Sequence, residues 1–170
     1  EVRAIRALYY YYLMDMFGNI PLVTTVNEDT ENAEQASRPE VYKFIVKELQ
    51  EVAPLLPTGH SNHAGVYYGR VTRSVANFLL AKLMLNGEVY SDADWTDNQR
   101  PDGRQTYFTV DGQQMNIWQA CKYYCDELTA DGFTLAADYL SNFSVNNENS
   151  PENIFTIPLD KHLYKSQFQY

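Results

Sequence analysis

The chain opens with EVRAIRALYYYYLMDMFGNIPLV, and no other stretch limits its possible folds as tightly. Val2, Ile5, Tyr9, Tyr12, Leu13 and Met16 recur at helical spacing, while Leu8, Tyr10 and Tyr11 make the rest of the surface apolar or amphipathic too. A helix of that kind needs neighbours on most of its sides. Gly18 can take the left-handed conformation that stops a helix and Pro21 cannot continue one, so the helix ends between Phe17 and Pro21.

Three further amphipathic segments supply the neighbours. Ser37 followed by Glu40 reads as a capping box, with Pro39 in the first turn where a missing N–H is tolerated. Tyr42, Ile45, Val46, Leu49 and Ala53 then form an apolar stripe, with Lys43, Lys47, Glu48 and Glu51 on the wet side, until Pro54 and Pro57 end the helix. Thr72 caps a third helix whose buried face is Val75, Phe78, Leu79 and Leu83, and Asn116 caps a fourth with Trp118, Cys121, Cys125 and Leu128 along one face and Gly132 just past its end. The expected helices are 1–17, 38–53, 72–90 and 116–131, packed as two antiparallel pairs. Short extended pieces are expected at 133–135 and 154–157, and a helical turn at 138–143.

A chain of 170 residues can bury one sizeable core, and 1–170 is read as a single domain. Its formal charge of −9, with 13 scattered Lys and Arg residues, argues against nucleic acid, which needs a basic patch. No apolar run approaches the length of a membrane span, and no signal peptide or lipid-bearing amino-terminal cysteine is visible. Cys121 and Cys125, four apart on a helix, read as small packed residues, since a disulfide between them would be strained. With His60, His63 and His162 they make no recognised zinc spacing, and the sequence implies neither metal nor cofactor. There is no nucleophile elbow, HExxH, phosphate loop or dinucleotide fingerprint, so the chain is not read as an enzyme.

Gly87 and Tyr90 stand in the glycine-x-x-aromatic arrangement of tetratricopeptide repeats, and Ala120 with Tyr124 echoes the second helix of that repeat, although long insertions replace its regular period. The opening block, RPEVYKFIVKELQEVAPLLP, YYGRVTRSVANFLLAKLMLNGEVY and SPENIFTIPLD together resemble the SusD/RagB family, surface lipoproteins with which Bacteroidetes capture glycans and other nutrients. The resemblance implies an all-α fold of tetratricopeptide-like helix pairs with long irregular connecting loops and little strand. It also implies an outer-membrane location through a lipid anchor not present in this segment, an oligosaccharide or other nutrient as ligand, and delivery to a TonB-dependent (SusC-like) transporter. Because family members are much longer, the chain is expected to be an internal segment truncated at both ends. The alternative is a helical-repeat domain that binds protein without binding sugar.

Ligand contacts are expected in the connections, since loops on a rigid scaffold are the usual place for them. Three stand out: 23–36, acidic and polar; 58–69, with Tyr67 and Tyr68; and 91–115, with Trp95, Asn98 and Arg100. Sugar recognition needs flat apolar faces for C–H groups and planar hydrogen-bonding groups for hydroxyls, so Trp95, Asn98, Arg100, Tyr67 and Tyr68 are the candidate ligand-binding residues. The weighed alternative for Trp95 is local packing of its own loop. Tyrosines 9–12 and Trp118 are expected to pack between helices. Asp92, Asp94 and Asp97 lack the glycine and distal glutamate of a calcium loop and read as a solvated turn.

Overall fold

The structure is a computed structural model that describes residues 1–25 and 33–157, so His162 and the middle of the 23–36 connection lie outside the described residues. Its elements are α1 (Val2–Phe17), β1 (Ile20–Pro21), β2 (Gln35–Ala36), α2 (Arg38–Val52) with a 3-10 turn Ala53–Leu55, α3 (Arg73–Leu85), α4 (Gly87–Ser91), β3 (Tyr107–Val110), β4 (Gln113–Asn116), α5 (Ile117–Ala130) and a 3-10 turn Tyr139–Phe143. The molecule is mostly helical, with two small antiparallel sheets among the described residues.

The local signals at the helix ends act as expected in all but one case. Ser37 and Glu40 form the reciprocal capping box of α2, and these hydrogen bonds hold the Glu40 carboxyl below its usual range. Asn116 accepts from Gln119 N at 2.9 Å and Gln119 Oε1 accepts from Asn116 N at 3.0 Å, a second box. Gly18 (φ 73°) ends α1, and Gly132 (φ 95°) follows α5, where Phe133 N donates to Leu128 O. Thr72 holds the N-cap position of α3, but its hydroxyl makes no cap bond. Arg73 N donates instead to Pro57 O at 3.0 Å.

The expected third helix is two helices. Asn86 N and Nδ2 both donate to Lys82 O, so its side chain competes with the helical ladder and the axis breaks there. Gly87 follows at a crowded point, where a Cβ would lie 2.9 Å from Tyr42 Oη and 3.0 Å from Ile117 Cδ1, so α4 crosses directly over α2 and α5.

Two antiparallel pairs result. Arg3 of α1 meets Glu48 and Glu51 near the end of α2, while at the other end Asn19 Oδ1 accepts from Arg38 N. Arg73 and Ser74 of α3 reach Asp131 just past α5, and Cys121 Sγ points to Ala81 O. Tyr42, buried at the crossing, packs its ring 5.6 Å from Tyr90 and 5.4 Å from Phe108, joining α2, α4 and β3.

Which faces turn inward differs from the expectation in four places. The buried residues of α1 are Ala4, Ala7, Tyr11 and Met14, not the large stripe. Two alanines let α1 approach α2 closely, and that orientation leaves the bulkier residues outside. Of tyrosines 9–12 only Tyr11 is buried; Tyr10 is half-buried, with its hydroxyl donating to Val23 O and accepting from Val23 N. Glu48, expected on the wet side of α2, is 6% exposed because Arg3 and Arg6 close over it. Phe78 and Trp118 are partly exposed, Cys121 is half-buried and Cys125 is exposed, both cysteines being free. Residues 133–135 and 154–157 are irregular rather than extended strand.

The larger correction lies in 91–115, expected to be one loop. It contains the β3–β4 hairpin, registered Tyr107↔Asn116 to Val110↔Gln113. Asp111 (φ 48°) and Gly112 (φ 73°) form its turn, both in the positive-φ region that a two-residue hairpin loop requires. Gly112→Val is expected to destabilise the protein by about 1–2 kcal/mol through backbone strain alone, since nothing lies within 4 Å of a Cβ there. Urea denaturation checks this, with Gly112→Asn, which tolerates the conformation, as the milder comparison.

Candidate functional site

The segment from Asp92 to Arg104 joins α4 to the hairpin and carries three of the five candidate residues. Its backbone is held by its own side chains. Asp92 Oδ1 accepts from Asp94 N at 3.0 Å, Asp94 Oδ1 from Thr96 N at 2.9 Å and Asp97 Oδ1 from Gln99 N at 2.8 Å, three successive two-residue turns. The Thr96 hydroxyl, then the Thr96 amide, hold the Asp94 carboxyl below its usual range. The carboxylates are therefore turn formers, as expected, except that Asp92 is buried rather than solvated.

Both ends of the segment are tied to helices. Arg38 of α2 donates to Asp92 O at 2.8 Å, and Glu88 of α4 accepts from Gly103 N at 2.8 Å. Gly103 is seated so tightly that a Cβ would meet Ile117 Cδ1 at 2.6 Å and the Trp118 indole at 2.7 Å. The partly exposed Trp118 thus serves as the wall on which the loop rests.

Within this frame Trp95 is 71% exposed, so local packing does not explain its ring. Arg100 donates to Trp95 O and Gln99 O, each at 2.9 Å, and pairs with Asp92 Oδ2 at 3.4 Å. Those bonds spend its guanidinium on the loop itself. Asn98 (φ 59°) is exposed beside them, and its side-chain amide makes no hydrogen bond among the described residues.

Tyr67 and Tyr68 lie elsewhere. Tyr67 is half-buried against Gly59, with the Arg70 guanidinium 5.8 Å from its ring centre, and Tyr68 is exposed. Their connection leads into the start of α3, whereas Trp95 follows α4, beyond its end. The 13 residues of α3 alone separate the two by about 20 Å. The structure brings Trp95, Asn98 and Arg100 together and leaves the two tyrosines at the opposite end of the helix pair.

His60 and His63, in the tyrosines' connection, are stacked at 4.6 Å, and His60 stacks on Phe133 at 4.2 Å. Asn62 is fully buried and donates to Ser150 O at 2.8 Å, fastening this connection to the one that follows α5. These residues pack two loops together.

The sequence gives no hint of an apolar groove of about 800 Å³ between α1, α3, α5 and the strap at 152–155. Tyr12, Phe78, Leu85 and Phe143 line it, and Lys82 extends its ammonium 5.3 Å from the Tyr11 ring and 5.8 Å from the Phe78 ring. Its surface is mostly apolar, with Lys82, Asn142, Glu152 and Asn153 also along it. Cys121 also lines it; burial, then the neighbouring Cys125, pushes its thiol up, the opposite of what a nucleophilic cysteine needs. No helix among the described residues is long and apolar enough to cross a membrane.

Residues 3–85 match a SusD-like family described as "Starch-binding associating with outer membrane". The starch-binding protein SusD of Bacteroides thetaiotaomicron is 30% identical over 97 residues, covering 54% of this chain and 15% of that protein. The fold is similar to the crystal structure of a SusD-like protein from Bacteroides fragilis, with a TM-score of 0.66 at 19% identity over 94% of this chain and 26% of that one. It is also similar to a laminarin-binding SusD-like protein, with a TM-score of 0.56 at 25% identity over 91% of this chain and 29% of the other. The chain thus spans less than a third of the length of each of these relatives.

Proposed function

The chain belongs to the SusD/RagB family, and on that premise we propose that it is part of a glycan-binding protein that captures oligosaccharide at the outer-membrane surface and passes it to a TonB-dependent transporter. The observation that carries this reading is the solvent-facing indole of Trp95, held on a loop with little freedom left to lose. A flat ring already in place can stack on the C–H face of a sugar without a large ordering cost. Asn98 offers an amide for hydroxyls, and Arg100 fixes the backbone that carries the ring by holding the Trp95 carbonyl. A role of this kind breaks no covalent bond and needs no cofactor, and a lipid anchor outside these residues would hold the protein to the membrane.

The test is glycan binding by the full chain, by array and then calorimetry, with starch and laminarin oligosaccharides among the probes because proteins similar to this one carry those names. Trp95→Ala is expected to weaken binding by roughly 1–3 kcal/mol, on the scale of aromatic stacking on planar bases. The melting temperature should move by less than about 2 °C, since an exposed ring contributes little packing. Unchanged affinity in the variant would remove Trp95 from the site, and release of shorter sugars in the same assay would overturn the binding-only role.

A further inference from the structure

The turn that carries Trp95 also carries charge. Asp97 N donates to Asp94 O at 3.4 Å, so residues 94–97 form a reverse turn with Trp95 at its first corner and a carboxylate at each end. The α-carbons at the two ends of such a turn lie less than about 7 Å apart. All four residues are exposed. The loop from Asp92 to Arg104 holds four carboxylates and two guanidinium groups. Arg100 pairs with Asp92 and Arg104 lies 3.6 Å from Asp102, which leaves Asp94 and Asp97 without a salt bridge among the described residues. The Thr96 hydroxyl and amide hold the Asp94 carboxyl below its usual range, so it keeps its charge in mildly acidic solution as well.

A sugar stacked on the Trp95 ring would sit over this turn, within about a Debye length of both charges, ~8 Å at physiological ionic strength. Stacking itself does not sort glycans by charge, since neutral and acidic pyranose rings present similar C–H faces. The carboxylates do. On the reading of Trp95 as a sugar platform, we infer that Asp94 and Asp97 make this site selective for neutral glycans and against those bearing uronate or sulfate groups. An anion about 7 Å from each of two carboxylates in water is disfavoured roughly sevenfold without screening, and about threefold at 0.1 M salt. The formal charge of −9 on the whole chain acts in the same direction. Asp94 and Asp97 thus serve twice: their side-chain oxygens fold the turn, and their charge sorts what can lie on its corner.

Substitution separates the two roles. In the double variant Asp94→Asn, Asp97→Asn each side chain keeps the Oδ1 acceptor for Thr96 N or Gln99 N and loses only its charge. The full chain and this variant are titrated by calorimetry with starch and laminarin oligosaccharides, and with the same sugars oxidised to carboxylates at their primary hydroxyls. The readout is the ratio of neutral to acidic affinity, in which any uniform change cancels. It is expected to fall at least about threefold in the variant at about 0.02 M salt, and the difference between the two proteins to vanish near about 0.5 M. An equal ratio in both proteins, with Trp95→Ala still weakening neutral sugar, would overturn the filter and leave the platform standing. Neutral binding that survives Trp95→Ala, or no binding of any probe, would remove the platform and the filter with it. A second measurement needs no sugar: quenching of the Trp95 emission, taken as the difference from Trp95→Phe, by iodide and by neutral acrylamide. Iodide quenching is expected to rise at least about twofold in the double variant at low salt while acrylamide quenching holds, and unchanged iodide quenching would overturn the inference by itself.

Discussion

Glu48→Ala is expected to lower stability by about 2–4 kcal/mol at pH 7, toward the lower end of the cost of breaking a buried ion pair because the two arginines keep part of their hydration. Glu48 Oε1 accepts from Arg3 at 2.6 Å and Oε2 from Arg6, so one carboxylate fastens two turns of α1 to α2. The Arg3 hydrogen bond, opposed by burial and then reinforced by Arg6, holds this carboxyl at about 2, against an ordinary value of 4.5. A carboxylate whose value is lowered by folding stabilises the protein fully above its unfolded value and loses that contribution as pH falls toward the folded one. The gap between wild type and Glu48→Ala should therefore be widest above about pH 5 and shrink between pH 4.5 and 2. Urea midpoints measured at pH 7 and pH 3 provide the check; a gap of the same size at both would show that Glu48 acts through packing rather than charge.

Tyr42→Ala is expected to cost about 3–5 kcal/mol, the range for deleting a buried aromatic ring, while Tyr42→Phe should change stability by less than about 1 kcal/mol. The contrast follows from what the two parts of the side chain touch. The ring lies against Tyr90 and Phe108 at the crossing of α2, α4 and β3, and its removal would leave a cavity in the middle of the core. Among the described residues the hydroxyl has only Met84 Sδ as an acceptor, at 3.6 Å, and burial pushes its ionisation well above the ordinary tyrosine value. A weak bond to sulfur offsets little of the cost of taking a hydroxyl out of water. Thermal melts of the two variants decide the matter, and a large loss in Tyr42→Phe would show that the hydroxyl holds the crossing together.

Helix positions were legible because caps and stops are local. Ser37 with Glu40, Asn116 with its helix, Gly18 and Gly132 each act through backbone groups within a few residues, so sequence neighbours suffice to read them. Facing was not legible in α1. A helix apolar on every side gives no direction, and the deciding factor was the smallness of Ala4 and Ala7 rather than the size of Tyr9 or Met16. Glu48 misled for the opposite reason: its charge reads as solvent-facing until two arginines 42 and 45 residues away arrive to meet it. The β3–β4 hairpin lies where one loop is expected, although an Asp-Gly pair between two strand-length runs is a strong local signal for it.

The candidate site was legible in residue type and only partly in arrangement. Trp95, Asn98 and Arg100 are close in sequence and stay close in space, whereas the distance to Tyr67 and Tyr68 is set by the length of α3, which enters only once the helices are assembled. The groove has no sequence signature at all. It is made from faces of three helices and a strap, each of which looks ordinary alone.

The junction after α1 has a consequence for how such a chain can be lengthened. Ile20 and Pro21 pair with Ala36 and Gln35, Asn19 fastens the start of α2, and a single phenol on Tyr10 serves both peptide groups of Val23. The two sides of the junction are thus joined by contacts among the described residues that flank it. Closing a longer tether across fixed ends adds only about 0.6 kcal/mol per doubling of its length. Sequence added between Val23 and Gln35 is therefore expected to cost little stability as long as the contacts flanking it persist, which makes this junction a natural port for new surface on an unchanged scaffold.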